Sequence, residues 1–206
     1  MWRLTLRNVK RETARQRFLR AHLDGVRRSL AGLDLAAVEG LLDVLEEAYA
    51  RDKTVFLIGN GGSAATASHM ASDLAKTILG KRHERITKRF RAVALNDNVA
   101  LMTAWANDER YEKIFGEQLK NLARRGDVLL VITGSGNSEN IVYAVKVAHA
   151  LGLKTVGLLG FNGGKTKPLL DHYVLVESRQ YGHVEDMHLV LNHLIADYFF
   201  HRLNPS

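Results

Sequence analysis

The chain has 206 residues, of which 46% are hydrophobic and 25% are charged, a composition typical of a water-soluble globular protein. It has no cysteine, which excludes a disulfide framework, thiolate catalysis and cysteine-ligated zinc. No apolar run is long enough to cross a bilayer, so no membrane partner is expected. We expect one domain over residues 1–206, with a helical arm (1–50) and an α/β core (51–206), in a bacterial-type cytoplasmic protein.

The formal net charge of +7 is concentrated in two segments. Residues 1–28 contain nine Lys or Arg against Glu12 and Asp24, and residues 76–91 contain seven against Glu84. Neither segment has interleaved aromatics or a recognised nucleic-acid module, so a nucleic-acid partner is not expected. Solvated helix faces and subunit contacts are the favoured explanation. A third explanation is that segment 76–91 attracts an anionic substrate towards its site.

Strand and helix patterns alternate along the chain. Two amphipathic segments (8–30 and 34–50) open it, and Asp34 is placed to cap the second. Five Val/Ile/Leu-rich runs follow, at 54–58, 91–95, 127–132, 154–159 and 172–176, with helical patterns at 63–79, 98–123 (broken near Asn107), 138–151 and 184–202. Continuous apolar runs predict strands buried on both faces. The alternation predicts an α/β fold with a doubly wound, five-stranded parallel sheet and right-handed crossovers.

Two glycine-rich polar loops come at the ends of predicted strands, where such sheets bind ligands. The first run continues into GNGGS (59–63) and the third into TGSGNS (133–138), and each loop enters a helix. The N–H groups at a helix start bind anions, and Ser63 is placed to cap the first of these helices. Taken singly, each loop is also explained as an ordinary turn or capping loop. Between them, Asn96 and Asp97 end the second run, where they would hold sugar hydroxyls.

The segments GNGGSA…SH…DL, TGSGNSENI and HVEDMHLVLNHL together resemble the sugar isomerase (SIS) domain. Within it, the chain is most similar to phosphoheptose isomerases, which interconvert sedoheptulose 7-phosphate and glycero-manno-heptose 7-phosphate. The resemblance covers essentially the whole chain, and it implies that the strands have the flavodoxin-like order of SIS domains. It implies a phosphosugar substrate and a homotetramer with sites between subunits, and the exposed apolar faces expected of the long N-terminal helices also favour an oligomer.

The resemblance further implies a divalent metal, typically zinc, and a set of site residues. His69 and Asp73 are four residues apart and share a helix face, and Glu185 and His193 lie eight apart on a shared side of the last helix. Two imidazoles and two carboxylates suit zinc, manganese or iron. The implied metal ligands are His69, Asp73, Glu185 and His193, and the implied acid–base pair is Asp73 and His193. The implied substrate contacts are Asn60, Gly61, Gly62, Ser63, Asp73, Asn96, Asp97, Thr133, Gly134, Ser135, Ser138 and Glu185.

The chain departs from the family pattern at two of these positions. Asp73 stands where the family has the longer Glu as its base, and Glu185 stands where the family has Gln. Glu185 is therefore an alternative base, with Asp73 then chiefly a metal ligand. His183 is expected in the loop before the last helix, where it would line the site. The main rival function is a non-catalytic SIS protein, such as one that associates with the bacterial replication initiator, and a phosphosugar-sensing regulator is a third.

Overall fold

The structure is a computed structural model that describes residues 12–205, apart from the side chain of Arg82. Helix α1 (Ala14–Ala31) begins at a capping box in which the Thr13 side chain accepts from the Gln16 N–H. Helix α2 (Leu35–Ala50) is capped by Asp34 as predicted, because the Asp34 carboxylate accepts from the N–H groups of Ala36 and Ala37. Residues 8–11 of the first predicted helix lie outside the described residues.

The five strands form one parallel sheet, as the sequence predicts. They are β1 (Thr54–Ile58), β2 (Arg91–Ala94), β3 (Val128–Thr133), β4 (Lys154–Gly160) and β5 (His172–Val176), in the order β2-β1-β3-β4-β5. This is the predicted flavodoxin-like order, and it matches the predicted doubly wound sheet. Since the chain leaves β1 towards one edge and β3 towards the other, the loops after these two strands diverge and open a crevice.

Burial differs between the centre and the edges of the sheet. β3 is buried along its whole length, β1 and β4 nearly so, while β2 alternates and leaves Val93 40% exposed. The expectation of strands buried on both faces is therefore confirmed at the centre and wrong at the edges, because an edge strand has a neighbour on one side only. One face packs on α2, α3 and α7, and the other on α5 and α6.

The remaining helices connect and cover the strands. Helix α3 ends well before the predicted residue 79, and a 3₁₀ helix follows it. The predicted break near Asn107 is present, since α4 ends there and a 3₁₀ turn precedes α5. The bounds are α3 (Gly62–Ala75), the 3₁₀ helix Thr77–Arg82, α4 (Val99–Asp108), the 3₁₀ turn Tyr111–Lys113, α5 (Gly116–Leu122), α6 (Glu139–Leu151) and α7 (Tyr181–Leu203). No helix among residues 12–205 is long and apolar enough to cross a membrane.

Helix α7 begins earlier than predicted, which changes the position of His183. The helix starts at Tyr181, so the expectation that His183 lies in a preceding loop is wrong. Its imidazole is buried against Gly25 of α1, where an added Cβ would lie 2.1 Å from the ring. Its Nε2 is 3.3 Å from Nδ1 of His22. His183 therefore joins α1 to the first turn of α7.

The basic segment 76–91 lies at the amino ends of the strands. It follows the last turn of α3 and leads into β2, whose first residue, Arg91, pairs with Thr54 at the start of β1. Lys88 within it donates to the carbonyl of Ala50 at 2.8 Å. The glycine-rich loops lie at the opposite, carboxyl ends of the strands. The structure therefore does not support the explanation that segment 76–91 attracts substrate to these loops.

Candidate active site

The loop after β1 turns sharply into α3. An added Cβ at Gly59 would lie 2.4 Å from the carbonyl oxygen of Ser63, so only glycine permits this close approach. The predicted capping role of Ser63 is wrong: Gly61 occupies the cap position, no side chain caps the helix, and Ser63 is buried in the first turn. The N–H groups at the start of α3 are thus left without a side-chain acceptor, which suits an anionic or polar ligand.

A pair of asparagines joins this loop to the loop after β3. The Nδ2 of Asn60 donates to Oδ1 of Asn140 at 2.9 Å, and the reverse bond measures 2.8 Å. The hydroxyl of Tyr111 also donates to Asn60 Oδ1, at 3.2 Å. These side chains lie in the crevice between β1 and β3, around a cavity of about 510 Å³ that Arg110 and Ser138 also line.

Five residues that line this cavity were not among the predicted site residues: Arg110, Tyr111, Glu112, Glu139 and Asn140. Asn140 lies within the TGSGNSENI motif, so its place one turn after the glycine-rich loop was a usable signal. Arg110 and Tyr111 fall in the break between α4 and α5, which does not follow a strand. No local pattern pointed to them, because only the return of this segment across the sheet brings them to the crevice.

The loop after β3 is held in place by a neighbouring segment. Thr133 Oγ1 accepts from the N–H of Gly136, and the Gly136 carbonyl accepts from both the N–H and the hydroxyl of Thr166, at 2.9 and 2.8 Å. Gly136 has a φ of +67°, and an added Cβ would lie 2.0 Å from the carbonyl oxygen of Gly163. Ser138 is the cap residue of α6, yet its hydroxyl makes no capping bond. The loop thus presents a rigid backbone and an uncapped helix start.

The predicted sugar contacts after β2 make hydrogen bonds within the protein. Asn96 Nδ2 donates to the carbonyl of Gly59 at 2.7 Å, while its Oδ1 is buried without a partner. Asp97 Oδ1 accepts from the hydroxyl of Ser68 at 2.5 Å. Asn96 therefore supports the first glycine-rich loop from below, and Asp97 is joined to the exposed side of α3.

Three of the four predicted metal ligands come together between α3 and α7. His69, Asp73 and His193 each offer a ligand atom within 4.8 Å of the others. Nε2 of His69 lies 3.4 Å from Oδ2 of Asp73, and the two imidazole centroids are 5.2 Å apart. Asp73 is buried, whereas both imidazoles are exposed on this chain. We call these three residues the His–Asp–His cluster.

Glu185, the fourth predicted ligand, lies at a different position. Its carboxylate packs on Gly62, where an added Cβ would be 2.6 Å from Oε1. It therefore faces the start of α3, one end of the helix whose other turns carry His69 and Asp73. A negative charge at a helix N-terminus is favourable, which explains why a carboxylate is tolerated there.

The donor set of the His–Asp–His cluster fits a divalent metal ion. Two imidazoles and one carboxylate, with the exposed side left for a further ligand, are a common arrangement for a metal that also meets substrate. The same groups serve acid–base chemistry, since a carboxylate and an imidazole are the side chains most used to move protons. The side chains of the cluster are therefore chemically suited both to binding a metal ion and to transferring protons.

Comparisons with known proteins agree on the family. Residues 21–160 match the SIS domain family. The chain is similar to a phosphoheptose isomerase of Helicobacter pylori, at 36% identity over 177 residues (86% of this chain and 89% of that protein), and to one of Nitratiruptor at 39% identity over 73% and 78%. The structure of phosphoheptose isomerase GmhA from Neisseria gonorrhoeae superposes with a TM-score of 0.81 at 28% identity, covering 90% of this chain and 98% of that one.

Proposed function

We propose that this chain, which belongs to the SIS-domain family, is an aldose–ketose isomerase that interconverts sedoheptulose 7-phosphate and D-glycero-D-manno-heptose 7-phosphate. The observation that carries the proposal is the His–Asp–His cluster, because two of its residues, His69 and Asp73, lie on α3, the helix that follows one of the two glycine-rich loops. A phosphate at the loops and a carbonyl near the cluster would use both features at once. The relatives from Helicobacter pylori and Nitratiruptor are named phosphoheptose isomerases, which supports this proposal.

The reaction requires four proton transfers, two at carbon and two at oxygen. Asp73 removes a proton from the carbon next to the ketone carbonyl, which leaves an enediol. After exchange with solvent, it delivers a proton to the former carbonyl carbon. His193 donates a proton to the carbonyl oxygen and accepts one from the hydroxyl that becomes the aldehyde. Positioned groups of this kind typically contribute about 10²–10⁴-fold each to the rate.

A divalent metal, which we propose to be zinc, would be held by His69, Asp73 and His193. Glu185 stays the predicted fourth ligand, although its carboxylate lies on Gly62. When bound, the metal supplies a Lewis acid that polarises the substrate oxygen. The ligand atoms of the cluster lie within 4.8 Å of one another, so small movements of the side chains would let one ion contact all three.

The rival proposal of a non-catalytic phosphosugar-binding protein needs the loops but not the cluster. The decisive experiment is to incubate the metal-loaded protein with sedoheptulose 7-phosphate in deuterated water. We expect the anomeric proton region of the NMR spectrum to gain the signals of the aldose, with deuterium at its second carbon. Binding of the phosphosugar without any aldose or deuterium would instead favour the rival.

The loop 133–138 is proposed to bind the phosphate, and the double variant Ser135→Ala, Ser138→Ala tests this. Each hydroxyl lost from a phosphate costs about 1.5–3 kcal/mol, so we expect KM to rise by about 10²-fold or more, because bonds to a charged group are strong. Steady-state kinetics and inorganic phosphate inhibition measure the effect. The change Ser29→Ala on α1 is the control, and unchanged affinity for substrate and phosphate would contradict the assignment.

A homotetramer with sites between subunits is proposed for the assembly. Phe18 and Leu23 on α1 are 72% and 67% exposed on the single chain, and both imidazoles of the cluster are exposed as well. Large apolar side chains on one helix support burial by another copy. Light scattering should give about four times the chain mass, and a stable monomer at micromolar concentration would exclude the tetramer. A cytoplasmic location stays a prediction.

A further inference from the structure

Asp73 is held by a side chain that the proposed reaction does not use. Asn192 of α7 donates from Nδ2 to Asp73 Oδ2 at 3.0 Å, and the amide is 0% exposed. The same Asp73 oxygen lies 3.4 Å from His69 Nε2. A hydrogen bond to one carboxylate oxygen fixes the rotation of the group, because an ionised acceptor makes a strong and directional bond.

The amide of Asn192 is not explained by stability. Its Oδ1 is buried without a hydrogen-bond partner, and such an orphaned acceptor costs free energy. The neighbouring buried residues of α7, Leu191 and Ile195, are apolar. An apolar side chain of similar size would fill this position without leaving an orphaned acceptor. What the amide adds is its bond to Asp73.

Position 192 also links the two proton-transfer groups. It precedes His193 directly, so the same turn of α7 carries the proposed acid and a donor to the proposed base. Asp73 is on α3, and its side chain is short. A donor on the facing helix sets where a short carboxylate points relative to the neighbouring imidazole. Errors of about 1 Å in such a geometry can cost about 10²-fold in rate.

We propose that Asn192 is a positioning residue for the base: it holds the carboxylate of Asp73 in the orientation from which Asp73 moves the substrate proton. The inference rests on the proposed function. Because Asn192 is fully buried, it does not touch the substrate. Its loss should therefore change kcat and leave substrate affinity alone.

The variant Asn192→Leu tests this, since leucine has the same branching at Cγ as asparagine but no hydrogen-bond donor. We expect kcat to fall by about 10- to 100-fold, as misplacement of a proton-transfer group predicts, with KM unchanged within about 3-fold. The unfolding midpoint should show that the variant stays folded, and kcat should be compared at saturating metal because Asp73 is also a proposed ligand. A normal kcat, or a raised KM at normal kcat, would overturn the inference.

A double-mutant cycle with Asp73→Asn separates positioning from general packing. If Asn192 acts through the carboxylate, Asn192→Leu should have no further effect on the residual rate of Asp73→Asn, because no base remains to be oriented. An equal fold-loss in both backgrounds would show a packing role and overturn the inference. If the wild-type protein shows no turnover, the proposed function is refuted, and so is the assignment of Asp73 as its base. An active wild type with an equally active Asn192→Leu variant would refute this inference alone.

Discussion

Replacing Asp73 with Asn should lower kcat by about 10²–10⁴-fold, the contribution expected of a positioned general base. Asn has nearly the same shape as Asp, but its amide cannot act as a base near neutral pH. The fold should therefore be preserved while proton transfer is lost. Asp73 is the buried member of the His–Asp–His cluster and the carboxylate nearest His69, at 3.4 Å. Turnover should be measured at saturating metal, with the bound metal determined separately, because Asp73 is also a proposed ligand.

The matched variant is Glu185→Gln, which removes the other carboxylate proposed as a metal ligand or base. Its carboxylate lies on Gly62 rather than within the cluster, so we expect a smaller fall in kcat, of about 10-fold or less. The assignment of the base would be wrong if Glu185→Gln abolished turnover with metal retained while Asp73→Asn stayed active. Glu185 would then be the base and Asp73 chiefly a ligand.

The second large effect concerns stability in acid. His188 is buried on α7, neither ring nitrogen makes a hydrogen bond of normal geometry, and burial lowers its pKa to about 4, with the backbone of Leu159 acting weakly in the opposite direction. In the unfolded chain this imidazole takes up a proton as the pH falls below 6.5. In the folded chain it stays neutral until about pH 4. The free energy of unfolding should therefore fall by about 3 kcal/mol across this window from His188 alone.

Urea unfolding at several pH values between 7.5 and 4 measures this dependence. The variant His188→Leu lacks the proton uptake and should lose about 3 kcal/mol less than the wild type over the same range. Both proteins should be measured without metal, because acid also releases metal from imidazoles. His201→Gln, at the exposed end of α7, is the control. Parallel pH profiles for the wild type and His188→Leu would contradict the prediction.

The sheet and its loops could be predicted from the sequence because their signals are local. A run such as 128–132 is apolar at every position because each of its side chains meets a helix layer, and the glycine-rich loop follows directly in the chain. The pairing of His69 with Asp73 was likewise readable, since residues four apart on a helix are neighbours whatever surrounds them.

The partners of those residues depended on packing between distant segments. The rotation of α7 against α3 places His193 and Asn192 at Asp73 and leaves Glu185 on Gly62, although Glu185 and His193 share one side of their helix. The same packing buries His188 and places the His183 imidazole in contact with His22 of α1.

The sequence by itself therefore determined which residues of one helix lie together. It also determined which apolar runs form the strands and which glycine-rich loops follow them. Which residues meet across two helices was decided by the tertiary structure alone. The physical reason is that the crossing and rotation of packed helices follow from all the side chains between them, and no local pattern contains that sum.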